Sequence, residues 1–324
     1  MISAQALSNR DRILGGLWGS LAGDALGVPV EFKDRATVQL NPVADMREFG
    51  THGQPRGTWS DDSSMLLCTA DSLVNHEFSL QDMGERFVRW MNDGLWTAHG
   101  DVFDMGGTTS TALMRIAKGM PADQAGGRHE DSNGNGSLMR ILPAVLRFAG
   151  EPLGSFSDRL EKVSAITHGH ARSRMACVFY GLIVRQLQLG WQPRAALDSV
   201  RAEFTGWYER SPEFSTFRHI LEDDLVSVPE GEIVSTGYVL HTLHASLWCL
   251  LTTDIYRDCV LKAVNLGGDA DTTGCVAGGL AGVVYGYKSI PADWIRQLAR
   301  KGDVDCLFHE FSELCDESMA KKGS

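Results

Sequence analysis

Leu266-Gly267-Gly268-Asp269-Ala270-Asp271-Thr272-Thr273-Gly274 places two carboxylates two positions apart in a glycine-flanked turn, just before a small-residue run that reaches Tyr285. Gly267 and Gly268 allow a tight backbone that other residues resist, so Asp269 and Asp271 can aim at one point. The pattern predicts a helix over 273–285 with Asp271 or Thr272 as its N-cap, and free N–H groups there favour negative charge. Carboxylates and a hydroxyl form an all-oxygen donor set, which suits Mg²⁺, Mn²⁺ or Ca²⁺ rather than zinc. A lone Asp-x-Asp more often caps and turns than binds an ion.

A second cluster strengthens the metal reading. Gly57-Thr58-Trp59-Ser60-Asp61-Asp62-Ser63-Ser64-Met65 is again a turn, feeding an apolar-periodic run over 65–74. Ser60 reads as an N-cap, and adjacent Asp61 and Asp62 repel each other unless solvent or a cation intervenes. Two acid-and-hydroxyl helix starts can jointly fill one or two octahedral sites.

Glycine spacing points to how such a chain packs. Residues 11–27 carry Gly15, Gly19, Gly23 and Gly27 at four-residue intervals, and the late run repeats the device with Gly274, Gly278, Gly282 and Gly286. Each glycine inside a helix costs about 1 kcal/mol relative to alanine, so the stripes require a compensating close contact. The two smooth-faced helices are predicted to lie against each other, or against an equally close neighbour, at the protein centre. They read as too short and too glycine-rich to span a bilayer, and no uninterrupted apolar run of that length is apparent.

Composition sets bounds. A chain of 324 residues that is 43% hydrophobic can bury a large core, and a net charge of −11 argues against nucleic-acid or anionic-membrane surfaces as partners. Seven cysteines at irregular spacing, mostly in apolar runs (Cys68, Cys177, Cys249, Cys275), read as reduced core residues. With no leader pattern at the N-terminus, the expected compartment is cytoplasmic.

Elsewhere the chain offers subsidiary signals. Glu31, between Val30 and Phe32 and just after Pro29, is either the exposed face of an extended segment or an acid aimed at a cation or substrate. The stretch 37–56 is rich in turn formers and reads as a surface loop able to act as a lid. Residues 80–92 form an amphipathic helix with Met83, Phe87, Trp90 and Met91 on one face, and Gly106-Gly107-Thr108-Thr109-Ser110-Thr111 starts another that reads as scaffold. Asn133-Gly134-Asn135-Gly136-Ser137 precedes a predicted helix over 138–148, and its free N–H groups can meet a phosphate, although Asn-Gly pairs more often mark plain turns. His168 and His170 open the run 175–189 and read as phosphate contacts or structure, while His241 and His244 read as half-buried imidazoles in a core helix over 236–252. Strand-type alternation is scarce and no solenoid repeat is present. The fold class is all-α.

The set Gly15-Gly16, Gly19, Gly23-Asp24-Ala25-Leu26-Gly27 with Glu31, then Trp59-Ser60-Asp61-Asp62-Ser63, Asn135-Gly136-Ser137-Leu138-Met139-Arg140, Thr167-His168 and Gly267-Gly268-Asp269-Ala270-Asp271-Thr272-Thr273-Gly274 resembles the ADP-ribosylglycohydrolase family. That family includes dinitrogenase-reductase-activating glycohydrolases and ADP-ribosylarginine hydrolases. The likeness runs from about residue 12 to about residue 295, and the late Gly-Gly-Asp-x-Asp-Thr piece is its most specific part. It implies a single compact multi-helix domain over 11–315, with an N-terminal extension (1–10), a frayed tail (316–324) and a central binuclear cleft for two Mg²⁺ or Mn²⁺ ions.

Carried over by position, the resemblance implies metal ligation by Ser60, Asp61, Asp62, Asp269, Asp271 and Thr272. It puts Glu31 at the metal or the reacting sugar, with Asp62, Asp269 or Glu31 as the proton-accepting carboxylate. Asn135, Gly136, Ser137 and His168 would contact the ADP-ribose diphosphate. Departures exist: Ser60 and Ser63 stand where threonine is common, Cys275 where alanine is usual, and the Gly107-Thr108-Thr109-Ser110 segment lacks an arginine that often follows.

The implied activity is metal-dependent removal of ADP-ribose from a mono-ADP-ribosylated protein, most readily at arginine. Two other readings fit the motifs. A catalytically silent ADP-ribose binder, such as an immunity protein that blocks an ADP-ribosyltransferase toxin, is one. A metal-dependent prenyl-diphosphate enzyme is the other, although Asp-Asp-Ser-Ser-Met lacks the later acid expected of it.

Overall fold

Helices α1 (Asn9–Gly27) and α14 (Ala270–Tyr285) form the axis of the molecule. In the computed structural model, residues 7–320 are described. The two glycine stripes face each other: a Cβ added at Gly15 would stand 2.2 Å from the Gly282 carbonyl oxygen, one at Gly19 2.4 Å from that of Gly278, and one at Gly23 2.0 Å from that of Gly274. No side chain fits between backbones this close, so each glycine is required by its opposite number. The predicted pairing of the stripes is therefore the central contact of the fold.

Around this axis run α2 (Arg35–Leu40), α3 (Asp61–Asn75), α4 (Leu80–Asp93), α5 (Gly107–Ala117), α6 (Ala122–Ala125), α7 (Leu142–Phe148), α8 (Leu153–Ala165), α9 (Ala171–Gln188) and α10 (Pro193–Tyr208). Then come α11 (Arg218–Glu222), α12 (Val239–Leu251), α13 (Tyr256–Val264), α15 (Ala292–Gln297) and α16 (Lys301–Ala320). Among the described residues there is no strand, only three isolated bridges. The fold is all-α, with one continuous apolar core whose members come from both ends of the chain, Ile13 and Leu17 alongside Val304 and Phe308.

Several boundaries differ from the sequence reading. Helix α14 opens at Ala270, with Asp269 at the cap position, so Asp271 and Thr272 lie in its first turn rather than ahead of it. Helix α7 starts at Leu142, not 138, with Pro143 in the first turn, where a missing N–H breaks no helical bond. The stretch 37–56 is not structureless: α2 runs into it, capped by Asp34, and a 3-10 turn spans Gly50–His52. Helix α16 continues to Ala320, well into the expected frayed tail, and residues 321–324 lie outside the described ones. The extension assigned to 1–10 is partly helical, because Ser8 and Asp11 form a capping box that starts α1 at Asn9.

The length of the first helix differs from the sequence expectation. Residues Asn9–Val30 are long and apolar enough to cross a membrane by composition, contrary to expectation, yet 94% of that window is buried inside the protein. It is the core helix around which the others wrap.

Candidate active site

At one end of the α1–α14 seam the chain departs from apolar packing. Asp24 of α1 is fully buried, and its carboxylate accepts hydrogen bonds from the backbone N–H of Ser60 (3.0 Å) and Ser63 (3.0 Å) and from Ser63 Oγ (2.5 Å). It therefore pins the start of α3 to the central helix. Ser60 caps α3 by accepting from the Asp62 N–H. At the start of α14, Gly267 and Gly268 both have positive φ (71° and 65°), and a Cβ at Gly268 would sit 1.9 Å from the Ser235 carbonyl oxygen. Only glycine holds that turn.

The two acid-rich helix starts meet. Thr272 Oγ1 donates to Asp62 Oδ1 at 3.2 Å, across 210 positions of sequence. Ligand oxygens of Asp24, Asp62 and Asp271 lie within 4.8 Å of one another, and those of Glu31, Asp269 and Asp271 do likewise, so Asp271 belongs to both groups. Asp62 Oδ2 and Asp271 Oδ2 are buried oxygens with no hydrogen-bond partner. Buried acceptors are rarely left so, and an all-oxygen, multiply acidic set of this kind fits a hard divalent cation.

Electrostatics say the same. Burial and then the charges of Asp104 and Asp24 push the Asp61 carboxyl well above the usual range; burial, Asp24 and Asp61 do so for Asp62, and burial, Glu31 and Asp62 for Asp271. Asp24 rises to about 6 through burial, moderated by its bonds from Ser60 and Ser63. Packing these acids together without cations forces protons onto them.

A cavity of about 550 Å³ opens over this floor, lined by Glu31, Asp61, Asp62, Asp104, Asp269 and Thr272 and by the turn Gly134–Gly136. Glu31 is 2% exposed, which decides between its two readings: it is the acid aimed at the site. Burial and then Asp104 push its carboxyl up to about 10. Its Oε2 is hydrogen-bonded to His52 Nε2, which reaches in from the 3-10 turn of the predicted lid. Asp104, raised to about 7 by burial and Asp269, completes a group of three with Glu31 and His52.

Sequence reasoning assigned no role to Asp24, His52 or Asp104. An aspartate inside an otherwise apolar glycine helix signals Asp24; nothing in local sequence marks the other two. Gly106, Gly107, Thr108 and Thr109, read as scaffold, also line the cavity.

The substrate-contact residues sort differently from expectation. Ser137 does not line the cavity: it is fully buried, and its Oγ accepts from Ser164 Oγ (2.9 Å) beside Cys177 Sγ. Asn135 lines it, but its amide donates to Asp269 Oδ2 (2.7 Å) and Thr242 Oγ1 (2.9 Å), holding Asp269 in place. Gly136 is a lining residue whose Cβ would meet both the His168 ring and Thr109 Oγ1 at 2.9 Å. His168 lines the cavity, while Ser60 lies behind the floor.

His168 sits in a buried polar chain with Thr167 and Arg140. Burial and the charge of Arg140 lower its pKa to about 3, so the ring is neutral. Arg140 donates to Thr167 Oγ1 (2.8 Å), and Thr167 Oγ1 is hydrogen-bonded to His168 Nδ1 at 2.9 Å.

Residues 5–321 match the sequence profile described as ADP-ribosylglycohydrolase. This chain belongs to the ADP-ribosylglycohydrolase family. The match extends beyond the motif-bearing stretch at both ends. Among its family relatives, the ADP-ribosylarginine hydrolase Tri1 of Serratia proteamaculans (strain 568) is 30% identical over 95% of this chain and 80% of that protein. The ADP-ribosyl-[dinitrogen reductase] glycohydrolase of Rhodospirillum rubrum is 29% identical over 91% of this chain and 92% of its own length. A solved structure titled ADP-ribosylglycohydrolase-related protein complex superposes with a TM-score of 0.80 at 32% identity, covering 95% of this chain and 99% of that one. As a member, this protein is a glycosidase-type hydrolase, and its acidic groups can hold metal.

Proposed function

We propose that the protein hydrolyses the N-glycosidic bond between ADP-ribose and a protein arginine, using two Mg²⁺ or Mn²⁺ ions held between α3 and α14. The observation that carries this reading is the convergence of Asp62, on the floor of a cavity beside Glu31 and Asp104, with Asp271 buried behind that floor, each with an orphaned oxygen. Identity to an ADP-ribosylarginine hydrolase supports arginine as the linkage. One ion would take Asp24, Asp62 and Asp271, and the other Glu31, Asp269 and Asp271, with Asp61 and Thr272 adjoining. When bound, the ions supply Lewis-acid charge for the ribose hydroxyls.

The chain's own groups would do the remainder. Water adds its oxygen to the anomeric carbon as the carbon–nitrogen bond breaks, through a state with oxocarbenium character. Asp104, which lines the cavity outside both ligand sets, is the group available to hold and pass a proton between that water and the departing guanidine. His168, Gly134 and Gly136 line the part of the cavity that would take the diphosphate, while the Asn135 N–H is already given to the Gly237 carbonyl. Asn135 fixes Asp269 rather than the substrate.

Incubation of ADP-ribosylarginine with the protein and Mg²⁺, with free ADP-ribose quantified, tests this. Expected is release that stops with a chelator and in Asp269→Ala. Tight ADP-ribose binding with no release from any linkage defines a silent binder and contradicts the proposal.

A further inference from the structure

Phe32 departs from the rules of its residue type in two ways. It is 66% exposed, although it is a large aromatic next to a buried acid, and it holds φ at +60°, a left-handed conformation that bulky side chains avoid. Neighbouring bonds enforce that conformation. Phe32 N–H donates to the Gly268 carbonyl at 2.7 Å and Gly268 N–H donates back to the Lys33 carbonyl at 2.7 Å, so the residue is tied to the glycine turn that carries Asp269. Backbone strain kept in place by surrounding bonds at the edge of a cavity is a mark of use.

Its surroundings define what it can receive. Phe32 lines the same cavity as Glu31, Asp61, Asp62, Asp104 and Asp269, and no lysine or arginine lines that cavity among the described residues. The ring meets His52 side-on, with centroids 5.9 Å apart at 62°, and His52 in turn contacts Phe103 at 4.9 Å. Since His52 bonds Glu31, the aromatic edge and the buried acid form one unit. Among the described residues no parallel ring covers Phe32, so an aromatic face beside an acidic mouth remains open. A planar, weakly hydrated cation matches both features, and a guanidinium matches best, because it stacks on aromatic rings as an ammonium does not.

We propose that Phe32 is the specificity-determining residue for the acceptor, receiving the guanidinium of ADP-ribosylated arginine on its ring while the ADP-ribose occupies the cavity. This rests on the arginine reading above and names the group that enforces it. A serine-linked acceptor offers no cation and gains nothing from the ring.

Steady-state kinetics of Phe32→Ala and Phe32→Trp on ADP-ribosylarginine and ADP-ribosylserine peptides, together with calorimetry of ADP-ribose, test it. Expected for Phe32→Ala is a rise in KM on the arginine peptide of roughly fivefold to tenfold, with kcat held, ADP-ribose affinity unmoved and KM restored by Phe32→Trp. Phe32→Gly, which also relieves the backbone, is expected to show the same rise and so separates loss of the ring from misfolding. Turnover of the arginine peptide with an unchanged KM in Phe32→Ala overturns the role of Phe32 alone. An equal loss on both linkages, or in ADP-ribose affinity, also overturns it. Failure of the wild type on the arginine peptide overturns the arginine reading and this inference together.

Discussion

Along the α1–α14 seam Gly15, Gly19 and Gly23 face Gly282, Gly278 and Gly274 and backbone rests on backbone; at the cavity rim Phe32 and Asp104 hold large or charged side chains on positive-φ backbone. The seam gives up side chains to bring two helices together, and by doing so brings Asp24 and Asp271 within reach of Asp62. The rim keeps side chains that packing does not demand. One region thus fixes the distances between acids, and the other supplies groups that meet a substrate. A substitution at the seam should act on folding, and one at the rim on chemistry.

The largest effect is expected at the seam. Gly23→Ala and Gly282→Ala place a methyl 2.0 Å from the Gly274 oxygen and 1.9 Å from the Gly15 oxygen, with no flexible side chain to yield. Each is expected to cost more than about 3 kcal/mol in urea unfolding, above the usual range for overpacking. Gly107→Ala at the rim, where a Cβ meets open space, is expected to change stability by under about 1 kcal/mol. Equal costs at the two places would erase the contrast.

Next comes the floor of the cavity, where folding and function are opposed. Asp62→Asn removes one of several crowded charges, so the metal-free protein is expected to melt higher than wild type while turnover falls by about a hundredfold or more. A variant both less stable and fully active would contradict the placement.

A pH series sharpens the same point. The Asp24 and Asp104 carboxyls sit at about 6 and about 7, above their ordinary value of 3.8, so the folded state holds protons that the unfolded chain releases. Their stabilisation is full below pH 4 and is lost as pH rises through 6 and 7. Calorimetry of chelator-treated protein is expected to show Tm falling over that window, and added Mg²⁺ is expected to flatten the decline. A metal-free Tm that rises from pH 5 to 7.5 would contradict it.

The smallest effect separates Ser137 from the substrate contacts. Ser137→Ala is expected to cost about 1 kcal/mol through the lost bond from Ser164, with ADP-ribose affinity by calorimetry unchanged.

Periodicity and residue type made the seam legible in the sequence, because a four-residue glycine spacing has few physical uses. The paired acids at Asp61-Asp62 and Asp269-Ala270-Asp271 were legible for the same reason, and the structure brings them together through Thr272 and Asp62. His52 and Asp104 were not, because each reaches the site from an irregular segment whose path depends on tertiary contacts, Thr51 with the Glu31 carbonyl and the positive φ of Asp104 among them. Ser137 misled because a turn motif names the residues but not which way each points: Gly134, Asn135 and Gly136 line the cavity and Ser137 turns into the core. Boundaries shifted for local reasons, such as the place of Pro143 in the first turn of α7.

The shared occupancy of the two helix starts is tested most directly by titrating Mn²⁺ into wild type, Asp62→Asn and Asp271→Asn while following free ion by electron paramagnetic resonance. Tight binding of two ions in the wild type, reduced to one in Asp62→Asn and lost in Asp271→Asn, which belongs to both groups, is the predicted result. Wild-type binding retained in either variant would mean that α3 and α14 do not hold ions in common.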